Sequence, residues 1–154
     1  MTIIDDAYRR FSAERFPLPS EAQLAALEQQ IGVVFPDDYR QFVLEYNGGY
    51  FNEPEITPVG EGCPSSTLHI LFGIGASHSE AEVGRPSRTN LFEDNNPPKI
   101  LPIGRTGMGG LIILDTAPGD GRGEIYLKQE YGDFYWIAEN IEEFFSLLRE
   151  LTCG

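Results

Sequence analysis

The segment that most constrains this chain runs from Ile31 to Gly49, where a helix has its beginning, its buried face and its end all written in sequence. Pro36 suits a first helical position, and Asp37 and Asp38 put negative charge where the helix dipole favours it. Tyr39, Phe42, Val43 and Tyr46 recur at i, i+3, i+4 and i+7, so one aromatic stripe faces a core. Asn47-Gly48-Gly49 closes the helix, because glycine accepts the left-handed backbone that satisfies the last carbonyls.

Upstream, Ile4, Ala7, Tyr8 and Phe11 have helical spacing, which predicts a helix over about Asp5 to Glu14. Phe16-Pro17-Leu18-Pro19 ends it, since residues before proline leave the helical region. Ser20 and Gln23 then form a capping box for a second helix with Leu24, Leu27 and Ile31 inward and Gly32 as its stop. The few residues between this helix and the next predict that the two pack as a pair.

From Tyr50 the period changes to short apolar runs bounded by Gly and Pro, which predicts strands near Gly49–Ile56, Leu68–Ile74, Lys99–Gly104, Leu111–Asp115, Glu124–Lys128 and Phe134–Ile137. The turn residues Ala117-Pro118-Gly119-Asp120-Gly121 predict an antiparallel pair between Leu111–Asp115 and Glu124–Lys128. Ala76 to Pro98, rich in Ser, Asn and Pro, is the least structured stretch, with a short helix around Arg88 to Glu93. Asn140 and Glu143 cap a terminal helix lined by Ile141, Phe144, Phe145, Leu148 and Leu151. The expectation is α+β: a mainly antiparallel sheet of about six strands, with N-terminal helices and a C-terminal helix packed on it. One domain over residues 1–154 suits a chain long enough to bury about 70% of its unfolded surface.

Charge is the outstanding compositional feature, with 11 Lys+Arg against 24 Asp+Glu and a net charge of −13. Such a surface repels nucleic acid and anionic membranes and attracts basic partners. No Lys or Arg occurs between Arg40 and Arg85, an interval that holds Glu45, Glu53, Glu55, Glu61, Glu80 and Glu82, so an acidic face is expected there. Cys63 and Cys153 make a poor disulfide framework and read as free thiols in a reducing cytosol. The start lacks the basic and apolar regions of a signal peptide, and the longest aliphatic run, Leu111 to Leu114, cannot span a bilayer. The expected location is cytoplasmic.

Chemical motifs fail on context. The loop Gly104–Gly110 follows a strand but lacks G-x-G-x-x-G, and it precedes another strand where a phosphate cradle needs a helix. His69 and His78 make no metal-ligand spacing with either cysteine, and Ser77, Ser79 and Cys63 lack a nucleophile signature. A hydrolase would require a pocket holding a histidine beside a nucleophile. The strand aromatics Tyr50, Phe51, Tyr126, Tyr131, Phe134, Tyr135 and Trp136 are mainly core or cross-strand pairs, and any exposed members of the Tyr131–Trp136 group would serve as interface anchors.

The run L-E-Q-Q-I-G-V-V-F-P-D-D-Y-R-Q-F-V-L-E-Y-N-G-G (Leu27–Gly49), followed by I-L-P-I-G (Ile100–Gly104), G-E-I-Y (Gly123–Tyr126) and I-A-E-N-I-E-E-F-F-S-L-L (Ile137–Leu148), resembles the SUKH superfamily. That superfamily groups bacterial toxin-immunity proteins with fungal Smi/Knr cell-wall regulators. The sequence departs from the usual pattern at Phe35, before the proline, and at Leu111, after Gly110. The resemblance implies helices on a mainly antiparallel sheet and no established catalytic residue; with no metal-ligand spacing in the chain, no metal or cofactor is expected. It further implies an immunity protein that binds a toxin, often a nuclease; a regulatory scaffold contacting other host proteins is the alternative. Combined with the charge balance, this makes Glu53, Glu55, Glu61, Glu80 and Glu82 the expected contacts for a basic toxin domain.

Overall fold

The computed structural model describes residues 2–57, 62, 65–75, 81–83, 100–129 and 134–150. Thr2 caps the first helix, α1 (Ile3–Phe11), in a capping box with Asp5, and Arg9 and Arg10 at its far end complement the dipole. The helix stops three residues short of the expected Glu14, because Ser12–Glu14 leave it as strand β1 and pair with Phe51 and Tyr50. Ladder bonds to a distant segment here override helical periodicity. Ser20 and Gln23 do form the predicted box on α2 (Glu21–Ile31), which ends at Gly32 with φ of 85°.

The third helix, α3, spans Asp37–Glu45. Pro36 sits just outside it with extended backbone, and its carbonyl accepts the first bond from the Arg40 amide at 2.8 Å, so the proline is the cap and not the first helical residue. Glu28 ties α2 to α3: its carboxylate accepts from the Phe35 amide at 2.8 Å and from Arg40 Nε at 3.3 Å.

The remaining strands are β2 (Gly49–Phe51), β3 (Glu55–Ile56), β4 (Ser66–Leu71), β5 (Ile100–Thr106), β6 (Leu111–Asp115), β7 (Ile125–Lys128), β8 (Phe134–Ala138) and β9 (Leu148–Arg149). They form an antiparallel sheet in the order β1-β2-β4-β5-β6-β7-β8, with β3 paired to β4 and β9. The predicted β6–β7 hairpin is present, with Leu111 opposite Lys128 and Leu114 opposite Ile125. The single strand expected over Gly49–Ile56 is split in two at Glu53, whose φ of 52° breaks the ladder ahead of Pro54.

Alternation sends Leu68, Ile70, Leu101, Ile103, Ile112, Leu114, Ile125, Leu127 and Ile137 into one core with Leu24, Phe35, Tyr39, Phe42 and Val43 from the helices. Each such side chain contributes about 1.5–3 kcal/mol by burial. Tyr8 stacks on Tyr46 at 4.8 Å and meets Phe51 edge-on at 5.3 Å, joining α1, α3 and β2. The terminal helix, α4 (Ile141–Ser146), is capped by Asn140 and also by Asp38 of α3, which accepts from the Ile141 amide. It ends sooner than its apolar stripe suggested. Leu148, expected on that helix, belongs to β9 and lies opposite Ile56, while Leu151 falls outside the described residues.

Within the stretch expected to be least structured, residues 81–83 form a parallel bridge in which Gly73 bonds Ala81 and Val83. The helix expected around Arg88–Glu93 lies outside the described residues. No helix among the described residues is long and apolar enough to cross a membrane.

Candidate protein-binding surface

Glu53 and Glu55 come together at the start of β4. The Thr67 hydroxyl donates to Glu53 at 3.3 Å, Thr67 is also the cross-strand partner of Glu55, and the Ser65 hydroxyl donates to Glu55 at 3.4 Å. Glu82 lies beyond the other end of the same strand, where its carboxylate accepts from the Gly75 amide at 3.2 Å. At roughly 3.3 Å per extended residue, Ser66 and Gly73 are about 23 Å apart, so these glutamates make two groups and not one. Glu61 and Glu80 lie outside the described residues.

The cation-free interval of the sequence is interleaved with cations in space. Arg149 on β9 stands opposite Glu55, and Arg105 on β5 stands opposite Ile70. The ion pairs among the described residues, Arg9 and Arg10 with Asp6 and Arg40 with Glu21 and Glu28, all lie on the helices and none engages Glu53 or Glu55.

Beside Glu53 is the β5–β6 turn. Its three glycine amides are committed to the protein: Gly107 donates to the Thr67 carbonyl, Gly109 to the Thr106 carbonyl and Gly110 to the Thr106 hydroxyl. That is a physical reason why this glycine loop offers no phosphate cradle. A Cβ on Gly110 would approach the Lys128 backbone carbonyl within 2.7 Å, so that position requires glycine, whereas one on Gly107 would push aside the end of the Glu53 side chain. The turn holds Met108 out at 81% exposure, over a cleft of about 400 Å³ walled by Ser65 and Ser66 on one side and Lys128 and Gln129 on the other.

From Lys128 the surface continues onto β8. Lys128 is opposite Phe134 with its Nζ 5.7 Å from the ring, and Tyr126 is opposite Trp136. Because Ile125, Leu127 and Ile137 point into the core, Tyr126, Phe134 and Trp136 take the sheet face away from the helices. Phe134 is 45% and Trp136 43% exposed. The Tyr126 hydroxyl donates to Glu124 at 3.2 Å; burial first, then that carboxylate, raises its pKa above 10.0. Among the described residues β8 pairs only with β7, at the end of the sheet.

Glu53, Glu55, Met108, Lys128, Phe134 and Trp136 therefore run as neighbours along one end and face of the sheet. Strand alternation puts Phe134 and Trp136 on one face, but it does not tell that both stay half exposed there. Met108 had only a weak signal, its place at the tip of a glycine-rich connection. His69 lies in β4 with its ring 5.7 Å from Tyr50, whereas His78, Cys63 and Cys153 lie outside the described residues. No group of three His, Cys, Asp or Glu among the described residues is arranged to hold a metal.

The chain is similar to the SPbeta prophage-derived uncharacterized protein YokK of Bacillus subtilis (strain 168), with 27% identity over 173 aligned positions that cover 97% of this chain and 86% of that protein. The sequence pattern of the SMI1 / KNR4 family (SUKH-1) matches residues 18–147, from the loop before α2 through α4. The chain belongs to the SMI1 / KNR4 family (SUKH-1), within the SUKH superfamily.

Proposed function

We propose that this chain is a single-domain, non-enzymatic, cytoplasmic immunity protein that neutralises a basic, nuclease-type toxin by covering it, with no cofactor or metal. The observation that carries this reading is the apolar patch of Met108, Phe134 and Trp136 bordered by Glu53 and Glu55 on a chain of net charge −13. Half-exposed aromatic anchors supply affinity when a partner desolvates them. Carboxylates at the rim steer a cationic partner and repel nucleic acid.

Family membership supports the same reading, since it fits an immunity-type module. Glu61, Glu80 and Glu82 complete the proposed set of acidic contacts. The test is stopped-flow association with a basic toxin domain recovered by pull-down from the source organism, across a range of ionic strength. Steering takes association to about 10⁸–10⁹ M⁻¹s⁻¹ at low salt, with a steep fall as salt rises. A rate that stays flat with salt overturns the electrostatic docking.

A further inference from the structure

Asn47-Gly48 is the one place in the sequence where asparagine precedes glycine, and the fold makes that dipeptide a lock. Asn47 has no exposed surface. Its Nδ2 donates to the Pro17 carbonyl at 2.6 Å and to the Ile74 carbonyl at 2.7 Å, and its Oδ1 accepts from the Ile74 amide at 2.8 Å. One side chain thus joins the α1–α2 connection, the end of α3 and the segment after β4. Gly48 beside it accepts from the Tyr8 hydroxyl at 2.9 Å, and a Cβ there would overlap the Leu71 carbonyl oxygen.

We propose that Asn47 is a fold-gated deamidation site, shielded while this lock is closed and converted irreversibly when it opens. In the open chain the Gly48 nitrogen attacks Asn47 Cγ, unhindered by a neighbouring side chain. The new Cγ–N bond replaces the Cγ–Nδ2 bond, the Gly48 proton leaves with the ammonia, and the ring formed is a succinimide. Solvent water then adds to either ring carbonyl and leaves aspartate or isoaspartate; no oxidant or reductant takes part.

In the closed lock the amide is held by two distant segments, so the reaction waits for them to separate. The product cannot re-form the lock. An aspartate carboxylate would keep the Ile74 amide on one oxygen, but its other oxygen, buried and with no proton to donate, would be turned onto the Pro17 and Ile74 carbonyl oxygens. An isoaspartate lengthens the main chain where Gly48 already abuts Leu71 and Phe72. This inference is independent of what the protein binds.

The experiment incubates the full chain at mildly alkaline pH, folded or in urea, and follows the one-dalton mass increase at Asn47 in the tryptic peptide that begins at Gln41. Asn52, exposed in the fold and within the same peptide, is the internal clock. Relative to Asn52, Asn47 is expected to convert at least about tenfold more slowly when folded than in urea. Protein diluted from urea at once regains its native melting curve, and the fraction that fails to regain it grows in step with Asn47 conversion. Equal relative rates in the two states overturn the gating, and converted protein that refolds with the native melting temperature overturns the lock.

Discussion

Arg149 stands directly across the β3–β9 ladder from Glu55, yet its Nε donates to the Thr57 hydroxyl at 2.9 Å and not to the carboxylate. A two-residue strand near the end of the described chain thus places a cation beside one of the proposed acidic contacts. Both side chains can face a partner, and they oppose each other in steering it. R149Q is therefore expected to speed association with a basic toxin domain, and E55Q to slow it, each by about two- to fivefold at low salt. Both effects shrink at high salt, which stopped-flow rates at two ionic strengths measure. Equal shifts at both salts count against an electrostatic role.

Glu28 is a structural carboxylate, 9% exposed, that satisfies the buried Phe35 amide and holds Arg40. Replacing it with alanine strands that amide and leaves the Arg40 guanidinium with its more distant partner Glu21 at 3.8 Å. E28A is expected to cost about 2–3 kcal/mol, a melting-temperature loss of about 5–10 °C for a domain of this size. E28Q keeps an acceptor for Phe35 and should lose about half as much. Thermal unfolding by circular dichroism separates the two variants, and equal losses would show that the Phe35 bond is not what matters.

The part of the fold that could be read in sequence was the part decided by neighbours in the chain. The Ser20–Gln23 box, the Gly32 stop, the α3 stripe and the β6–β7 turn are all contacts within a few residues, and each stands where the pattern put it. What escaped reading depends on distant partners. Ser12–Glu14 continue a helical period but pair with β2, and Leu148 continues the α4 stripe but pairs with Ile56. Asn47 reads locally as a helix stop, whereas its amide is spent on Pro17 and Ile74, 30 and 27 residues away. The surface shows the same limit: an interval empty of Lys and Arg in sequence is filled in space by Arg105 and Arg149.

Tyr39 carries a hydroxyl with no hydrogen-bond partner among the described residues, although its ring packs edge-on against Phe35 at 5.2 Å. Burial raises its pKa above the ordinary 10.0, and burial also raises that of Tyr8. A group whose folded pKa is raised gives its full stabilisation below the unfolded pKa, and the stabilisation drains away as pH rises toward the folded value. The fold should therefore hold to about pH 10 and weaken above it. Y39F removes an unsatisfied buried hydroxyl, so it should gain about 1 kcal/mol and move the alkaline midpoint upward. Y8F loses the bond to the Gly48 carbonyl and should cost about 1 kcal/mol at neutral pH. Far-ultraviolet circular dichroism followed from neutral to alkaline pH checks both signs.

Trp136 offers the sharpest division between stability and binding. Its neighbours on β8, Tyr135 and Ile137, pack toward the core, while Trp136 stands on the opposite face at 43% exposure beside Tyr126. Truncating this half-exposed side chain loses mainly its cross-strand pair with Tyr126, so folding stability should fall by about 1 kcal/mol. If the face is the contact surface of the proposed function, the same truncation removes an aromatic anchor that a partner would desolvate, at about 2 kcal/mol or roughly 30-fold in affinity. The loss should appear in the dissociation rate, because tryptophan is uncharged and steering is left to the carboxylates. Y135A gives the opposite pattern, a lower melting temperature with an unchanged dissociation rate in the protein that remains folded. Calorimetric melting together with surface-plasmon dissociation of W136A and Y135A reads both quantities, and a W136A complex that dissociates at the wild-type rate would remove this face from the interface.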